Sequence, residues 1–159
     1  MRAHTPGIPR WLDDDEQRTW RALLAVQSRL PAALSRDLQR HSDLSLQDFD
    51  VLVQLTEHPQ GRLRVSALAS ELTWERSRLS HHVARMERRG LVARVECGDD
   101  GRGAFIEVTA AGRTAIADAA PAHVEEVRRL VFDALSPDEV RVLGELQAKI
   151  LARIDSSNE

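Results

Sequence analysis

The sequence predicts a mostly α-helical chain with a small β-hairpin, and three neighbouring observations carry that expectation. Within residues 74–90, Leu79, Val83 and Met86 recur at helical spacing, so one narrow stripe faces a core. Just upstream, residues 65–72 form a shorter amphipathic pattern with Val65, Leu68 and Leu72 on one side. Just downstream, residues 91–96 alternate apolar and polar, residues 98–103 are a turn cluster, and residues 104–109 read as the returning strand. Helix, turn, helix, hairpin is the order of a winged helix-turn-helix. The expected architecture is that domain, mostly α with a β-hairpin wing, plus N- and C-terminal dimerisation helices.

Taken in order, residues 1–11 hold two prolines and a glycine and are expected to be flexible. Residues 12–45 form the N-terminal dimerisation helix, with Trp20, Leu23, Leu24, Gln27, Leu30, Leu34 and Leu38 on one side. Asp13, Asp14, Asp15 and Glu16 suit the positive helix start, and Pro31 predicts a kink. A stripe this long cannot be buried by a small winged domain alone, so a second subunit is expected to cover it.

Residues 46–109 form the winged domain. Ser45 and Asp48 read as a reciprocal capping pair, with Leu44 and Phe49 as a hydrophobic staple. That helix stops near residues 58–61, and residues 62–64 make a short extended link, a third strand beside the wing. Thr73 is expected to cap the next helix through its hydroxyl, with Glu75 near its positive end. Gly90 is expected to close that helix. Residues 110–155 carry the C-terminal dimerisation helices, the first bent or broken at Pro121. The second is introduced by Ser136, Pro137 and Glu139 and continues through Val140, Leu143, Leu146, Ile150 and Ile154. The 159 residues are expected to make one compact domain overall.

Composition excludes more than it assigns. There is no apolar run long enough to cross a membrane and no signal-peptide pattern, so a cytoplasmic protein is expected. A single cysteine, Cys97, rules out an internal disulfide framework. It stands in the wing strand with no resolving partner or adjacent base, and is read as incidental. The six histidines form no compact ligand pattern, and no phosphate loop, His-Glu-x-x-His or nucleophile elbow is present. No enzyme, metal site or cofactor is expected.

The net charge of −3 conceals a division. Between Gln60 and Arg102 nine arginines face six acids, leaving the middle at +3 and the flanks acidic. At about 100° per residue, Ser77, His81, Ala84 and Arg88 share the outer face of the central helix, flanked by Arg78 and Arg85. That face has donors, small residues permitting close approach, and no carboxylate at its centre, so it can lie in an anion-lined groove. A solvated surface helix would share these features. His82 falls toward the core side and is expected to pack or hydrogen-bond locally, and Trp74 to pack the helix start. Arg102, between Gly101 and Gly103, places a lone guanidinium at a hairpin tip, where it can enter a narrow minor groove.

The chain resembles the MarR-type transcriptional regulators. The likeness rests on Trp74-Glu75-Arg76-Ser77 opening the central helix and Arg89-Gly90-Leu91-Val92 closing it. It rests also on Asp100-x-Arg102 in the hairpin and on Val108-Thr109-x-x-Gly112, where the family more often has Leu before the Thr. It spans about residues 12–154. The resemblance implies a homodimer that binds a pseudo-palindromic double-stranded DNA operator and acts as a ligand-responsive repressor. Each subunit would then present one recognition helix to successive major grooves. Ser77, Arg78, His81 and Arg85 are expected nearest the bases or adjoining phosphates, Arg76 and Arg88 at phosphates, and Arg64 is a further DNA-binding candidate. The resemblance implies that Asp100 orients Arg102 by a charge pair. It also implies a small anionic or phenolic effector between the dimer helices and the winged domain. Candidate lining residues are Trp20, His41, Phe49, His58 and Arg62, each of which also suits packing or the surface. The competing reading is a winged-helix protein-interaction module without specific DNA binding, which would need neither the basic face nor Arg102.

Overall fold

The chain was studied as a computed structural model, which describes residues 9–96 and 103–157. The expectations for Cys97, Asp100 and Arg102, and for residues 1–8, fall outside those limits. The chain divides into two units, residues 1–33 and 34–159. Helix α1 runs over Asp14–His41, and Asp13 and Glu16 exchange side-chain-to-backbone hydrogen bonds at its start, 2.8 and 3.0 Å long. The acids there thus cap the helix as well as complementing its dipole. The helix continues through Pro31. No described residue of the first unit is buried, and Trp20, Leu23, Leu24 and Val26 all stand exposed.

The second unit holds the core. Helix α2 (Leu46–Glu57) begins with the anticipated capping box, Ser45 Oγ accepting from Asp48 N and Asp48 Oδ2 from Ser45 N, both at 3.0 Å. Strand β1 (Arg62–Arg64) leads into α3 (Val65–Glu71) and α4 (Arg76–Arg88), followed by β2 (Val92–Glu96) and β3 (Ala104–Val108). The sheet is antiparallel in the order β1-β3-β2, with Leu63 opposite Ile106 and Arg94 opposite Ile106 from the other side. The third strand expected beside the wing is therefore present. Leu52, Leu55, Leu68, Leu79, Val83, Met86 and Ile106 from these elements are completely buried together. Each such side chain stabilises the fold by about 1.5–3 kcal/mol.

Both helices of the central pair end in the same hydrogen-bonded turn. After α4, Gly90 N donates to Glu87 O and Leu91 N to Met86 O, with Gly90 at φ +75°. After α3, Thr73 N donates to Ser70 O and Trp74 N to Ala69 O, with Thr73 at φ +53°. Thr73 therefore does not cap α4 as expected. Its hydroxyl donates to Leu72 O at 2.7 Å, and α4 is preceded by Glu75 with no side-chain cap. The chain must reverse within two residues here, and a left-handed residue does that even when β-branched.

Helix α5 (Ala110–Leu130) starts at Thr109, whose Oγ1 accepts from Gly112 N at 3.0 Å and donates to Gly90 O at 2.6 Å. This strap ties α5 to the turn that ends α4. Pro121 does not break α5. Ala119 is buried beside it, and Ala115, Ile116 and Ala120 pack on the core. Tertiary packing on that face outweighs the lost backbone hydrogen bond. A 3-10 turn (Phe132–Ala134) precedes α6 (Pro137–Asp155), which opens with the expected box of Ser136 and Glu139 and has no buried residue.

Two backbone substitutions should move stability in opposite directions. A Cβ on Gly112 would lie 2.1 Å from Leu91 O and 3.0 Å from Val108 Cγ2, and that carbonyl accepts from Thr109 N at 3.2 Å, so it cannot move aside without losing that bond. Gly112→Ala should destabilise by about 1–3 kcal/mol. Thr73→Gly should stabilise by roughly 0.5–1 kcal/mol, because the left-handed penalty outweighs the added freedom of the unfolded chain. Paired thermal denaturation curves check both signs.

Candidate nucleic-acid interface

Helix α4 is built to separate two chemistries. Leu79, His82, Val83 and Met86 are its buried positions, and Arg76, Ser77, Arg78, His81, Arg85 and Arg88 are all exposed. The face anticipated from helical periodicity is thus free of the core. Arg78 lies over the Trp74 ring, 4.4 Å from its centroid, a contact that steers the guanidinium while leaving it open. Trp74 is half-buried against the core and meets His82 edge-on at 5.5 Å, so it packs the helix start.

A second group gathers between α4 and the start of β3. Arg64 and Arg76 line a cleft of about 340 Å³ with Ser66, Ser80 and Gly103. Arg64 and Arg62 stack against the Phe105 ring at 5.1 and 5.0 Å, so β3 holds two guanidinium groups near the same surface.

Beneath α4 lies a network that the sequence did not disclose. Asp48, at 2% exposure, receives Arg89 Nη1 on Oδ2 at 2.6 Å and has His82 Nε2 2.9 Å from Oδ1. Arg89 Nη2 also donates to Asp43 O at 2.5 Å, and Arg85 Nη2 lies 2.9 Å from His82 Nδ1. Burial alone would push the Asp48 carboxyl up. Hydrogen bonds from His82, Arg89 and the Ser45 backbone, with the Arg89 charge, outweigh burial and hold it well below the usual carboxylate range. Sequence reading identified Asp48 only as the capping partner of Ser45, because its other partners stand 34 and 41 positions away. The available signal was an acid one residue before a buried aromatic, which needs a cation from somewhere.

The five residues considered for an effector are scattered in character. Trp20 is half exposed on α1. His41 is exposed and turned to Asp37, with Nδ1 3.4 Å from Oδ1. Phe49 is in the core, its ring 4.3 Å from that of His123. His58 lines a shallow cleft of about 220 Å³ with Gln54, Glu57 and Leu63, and Arg62 lies on Phe105. Among the described residues no group of three or more His, Cys, Asp or Glu could hold a metal ion. Among them too, no helix is long and apolar enough to cross a membrane.

Comparison with known proteins bears on this geometry. A family model described as MarR family matches residues 42–103. Sco3205, a MarR family transcriptional regulator from Streptomyces coelicolor solved in complex with DNA, is 40% identical, with 90% of each chain covered and a TM-score of 0.85. AbsC, a MarR family transcriptional regulator from the same organism, is 38% identical over 93% of this chain and 99% of its own, with a TM-score of 0.87. The organohalide-sensing RdhR-CbdbA1625 transcriptional regulator, in its 2,4-dichlorophenol-bound form, shares the fold at 18% identity, covering 96% of this chain and 89% of its own, with a TM-score of 0.77. No curated protein matches the chain in sequence.

The Asp48 network sets a pH dependence with a definite sign. The folded value is depressed below the ordinary 3.8, so the stabilisation is complete above that value and is lost as pH falls through the folded one. Asp48→Asn should cost about 1–3 kcal/mol near neutrality, and the gap to wild type should narrow steadily below about pH 4. Urea unfolding across that range is the measurement, and a constant gap would contradict the assignment.

Proposed function

The chain belongs to the MarR family of transcriptional regulators, and from that premise we propose that it is a sequence-specific repressor binding a pseudo-palindromic DNA operator as a homodimer in the cytoplasm. The observation that carries the reading is the division of α4, with one side sealed in the core and seven exposed polar residues, four of them arginines and Glu87 the one acid. Arg78 and Arg85 have the reach and fork geometry for guanine, where one bidentate pair contributes about 1–3 kcal/mol of discrimination. Ser77 and His81 adjoin them. Arg64, Arg76 and Arg88 suit phosphate oxygens, and Arg102 with Asp100 would meet the minor groove at the wing. The complex of Sco3205 with DNA supports the general pose.

Dimerisation is supported by exposed apolar residues on the terminal helices. On α6, Leu146, Ile150 and Ile154 recur at helical steps, each 51% exposed, and Leu151 is 58% exposed. Trp20, Leu23 and Leu24 do the same on α1. Patches of this kind are covered by association in most soluble proteins. In this reading residues 12–45 and 110–155 assemble the dimer and residues 46–109 bind DNA. Two winged domains joined in this way would address grooves one helical turn apart.

Operator release by a small anionic or phenolic molecule completes the proposal, motivated by the dichlorophenol-bound structural neighbour. Trp20, His41, Phe49, His58 and Arg62 remain the residues to substitute. Ligands that raise the melting temperature while weakening DNA binding would be its signature.

The deciding experiment is a salt series of gel shifts on the promoter beside the protein's own gene. Wild type should lose affinity steeply with salt while retaining a sequence preference, and light scattering should give twice the chain mass. Arg78→Ala and Arg102→Ala should each weaken operator binding by about 5- to 100-fold, with melting temperature and mass unchanged. A monomer, or binding indifferent to sequence, would instead favour a protein-interaction module.

A further inference from the structure

One feature of α4 is not used by a rigid basic face: a buried histidine bridges a core carboxylate and a surface arginine. His82 is 8% exposed, with its Nδ1 2.9 Å from Arg85 Nη2 and its Nε2 2.9 Å from Asp48 Oδ1. A guanidinium only donates hydrogen bonds, so Nδ1 must present its lone pair to Arg85. Nε2 faces a carboxylate oxygen, and two lone pairs at that separation would repel, so Nε2 carries the proton. It meets the carboxylate obliquely and has no better-aligned partner among the described residues. These contacts select the ring form with its proton on Nε2 and its lone pair on Nδ1.

The ring is itself held in place. Trp74 meets it edge-on, and Asp48 is anchored by Ser45 N and by Arg89 Nη1. The chain of contacts therefore starts in the capping box of α2, passes through a buried carboxylate and a buried imidazole, and ends on an exposed guanidinium. We propose that His82 is a positioning residue, which aims Arg85 for DNA before DNA arrives. A free arginine loses rotamer freedom when it docks, and this contact removes much of that loss in advance. It also narrows the directions from which Arg85 can approach a base, so His82 contributes to specificity without touching the operator. The inference rests on Arg85 meeting DNA, and its test keeps the two claims apart.

The experiment is a double-mutant cycle on the full-length dimer, titrated against the promoter fragment that it binds. Arg85→Ala should weaken binding by about 5- to 100-fold. His82→Leu should weaken it by roughly 3- to 10-fold, and the double variant should bind no worse than Arg85→Ala alone. His82→Gln has an amide that can donate toward Asp48 and an oxygen that can accept from Arg85, and should recover most of the affinity. In the wild type, long-range ¹H–¹⁵N spectra of the histidine rings should show His82 protonated on Nε2, with its Nδ1 signal moving in Arg85→Ala. Losses that multiply in the double variant, wild-type affinity in His82→Leu, or a ring protonated on Nδ1 would each overturn the proposal. If Arg85→Ala itself binds like wild type, the placement of Arg85 at the DNA is wrong, and the inference falls with it. Should His82→Leu fold poorly, His82→Gln and the wild-type spectrum still decide.

Discussion

A single buried carboxylate ties the working face to the body of the second unit. Asp48 begins α2 by capping it, then reaches α4 through His82 and Arg89. An acid at 2% exposure is costly unless it is paired and hydrogen-bonded. Here each oxygen has a cation or ring nitrogen within 2.9 Å. The arrangement fixes the end of α4 relative to α2, a constraint that apolar packing alone, being non-directional, supplies less sharply. Orientation matters more than raw stability for a helix whose side chains, as proposed, meet a groove in register.

The turns around α4 serve the same end. Both α3 and α4 stop at a left-handed residue with paired backbone bonds, and the strap from Thr109 to Gly90 binds α5 to the second of these turns. Gly112 has to be glycine because a backbone carbonyl occupies the space of its absent side chain. The basic helix is consequently held at its start by Trp74, along its length by the core, and at its end by Arg89 and the strap. What remains exposed is its arginine face. Outside residues 60–102 the chain is net acidic, so its net positive charge is concentrated in the stretch that holds α4.

The terminal helices pose the opposite problem. They leave leucines, isoleucines and tryptophan half exposed where the central domain leaves almost none. These exposed apolar positions are what the proposed dimer would cover. In the proposed dimer, a molecule that altered how those helices pack would change the spacing of the two α4 helices, which is the physical route the proposal gives an effector.

Much of this was legible in the residue order. The helical stripe of Leu79, Val83 and Met86, the two Ser-led capping boxes, the glycine closing α4 and the alternation of the wing strands all depend on contacts within a few residues, and local patterning records these. Helical phase also separated His82 from the exposed face. The structure alone placed Thr73 in a left-handed turn, carried α5 past Pro121, and joined Asp48 to His82 and Arg89. Each of those depends on what lies opposite in space: the bend between α3 and α4, the core beside Ala119, and partners 34 and 41 positions away. Sequence determines which residues prefer to be inside or out. Only the folded chain decides which charges meet, because an ion pair acts over a few ångströms of space and not over positions in a chain.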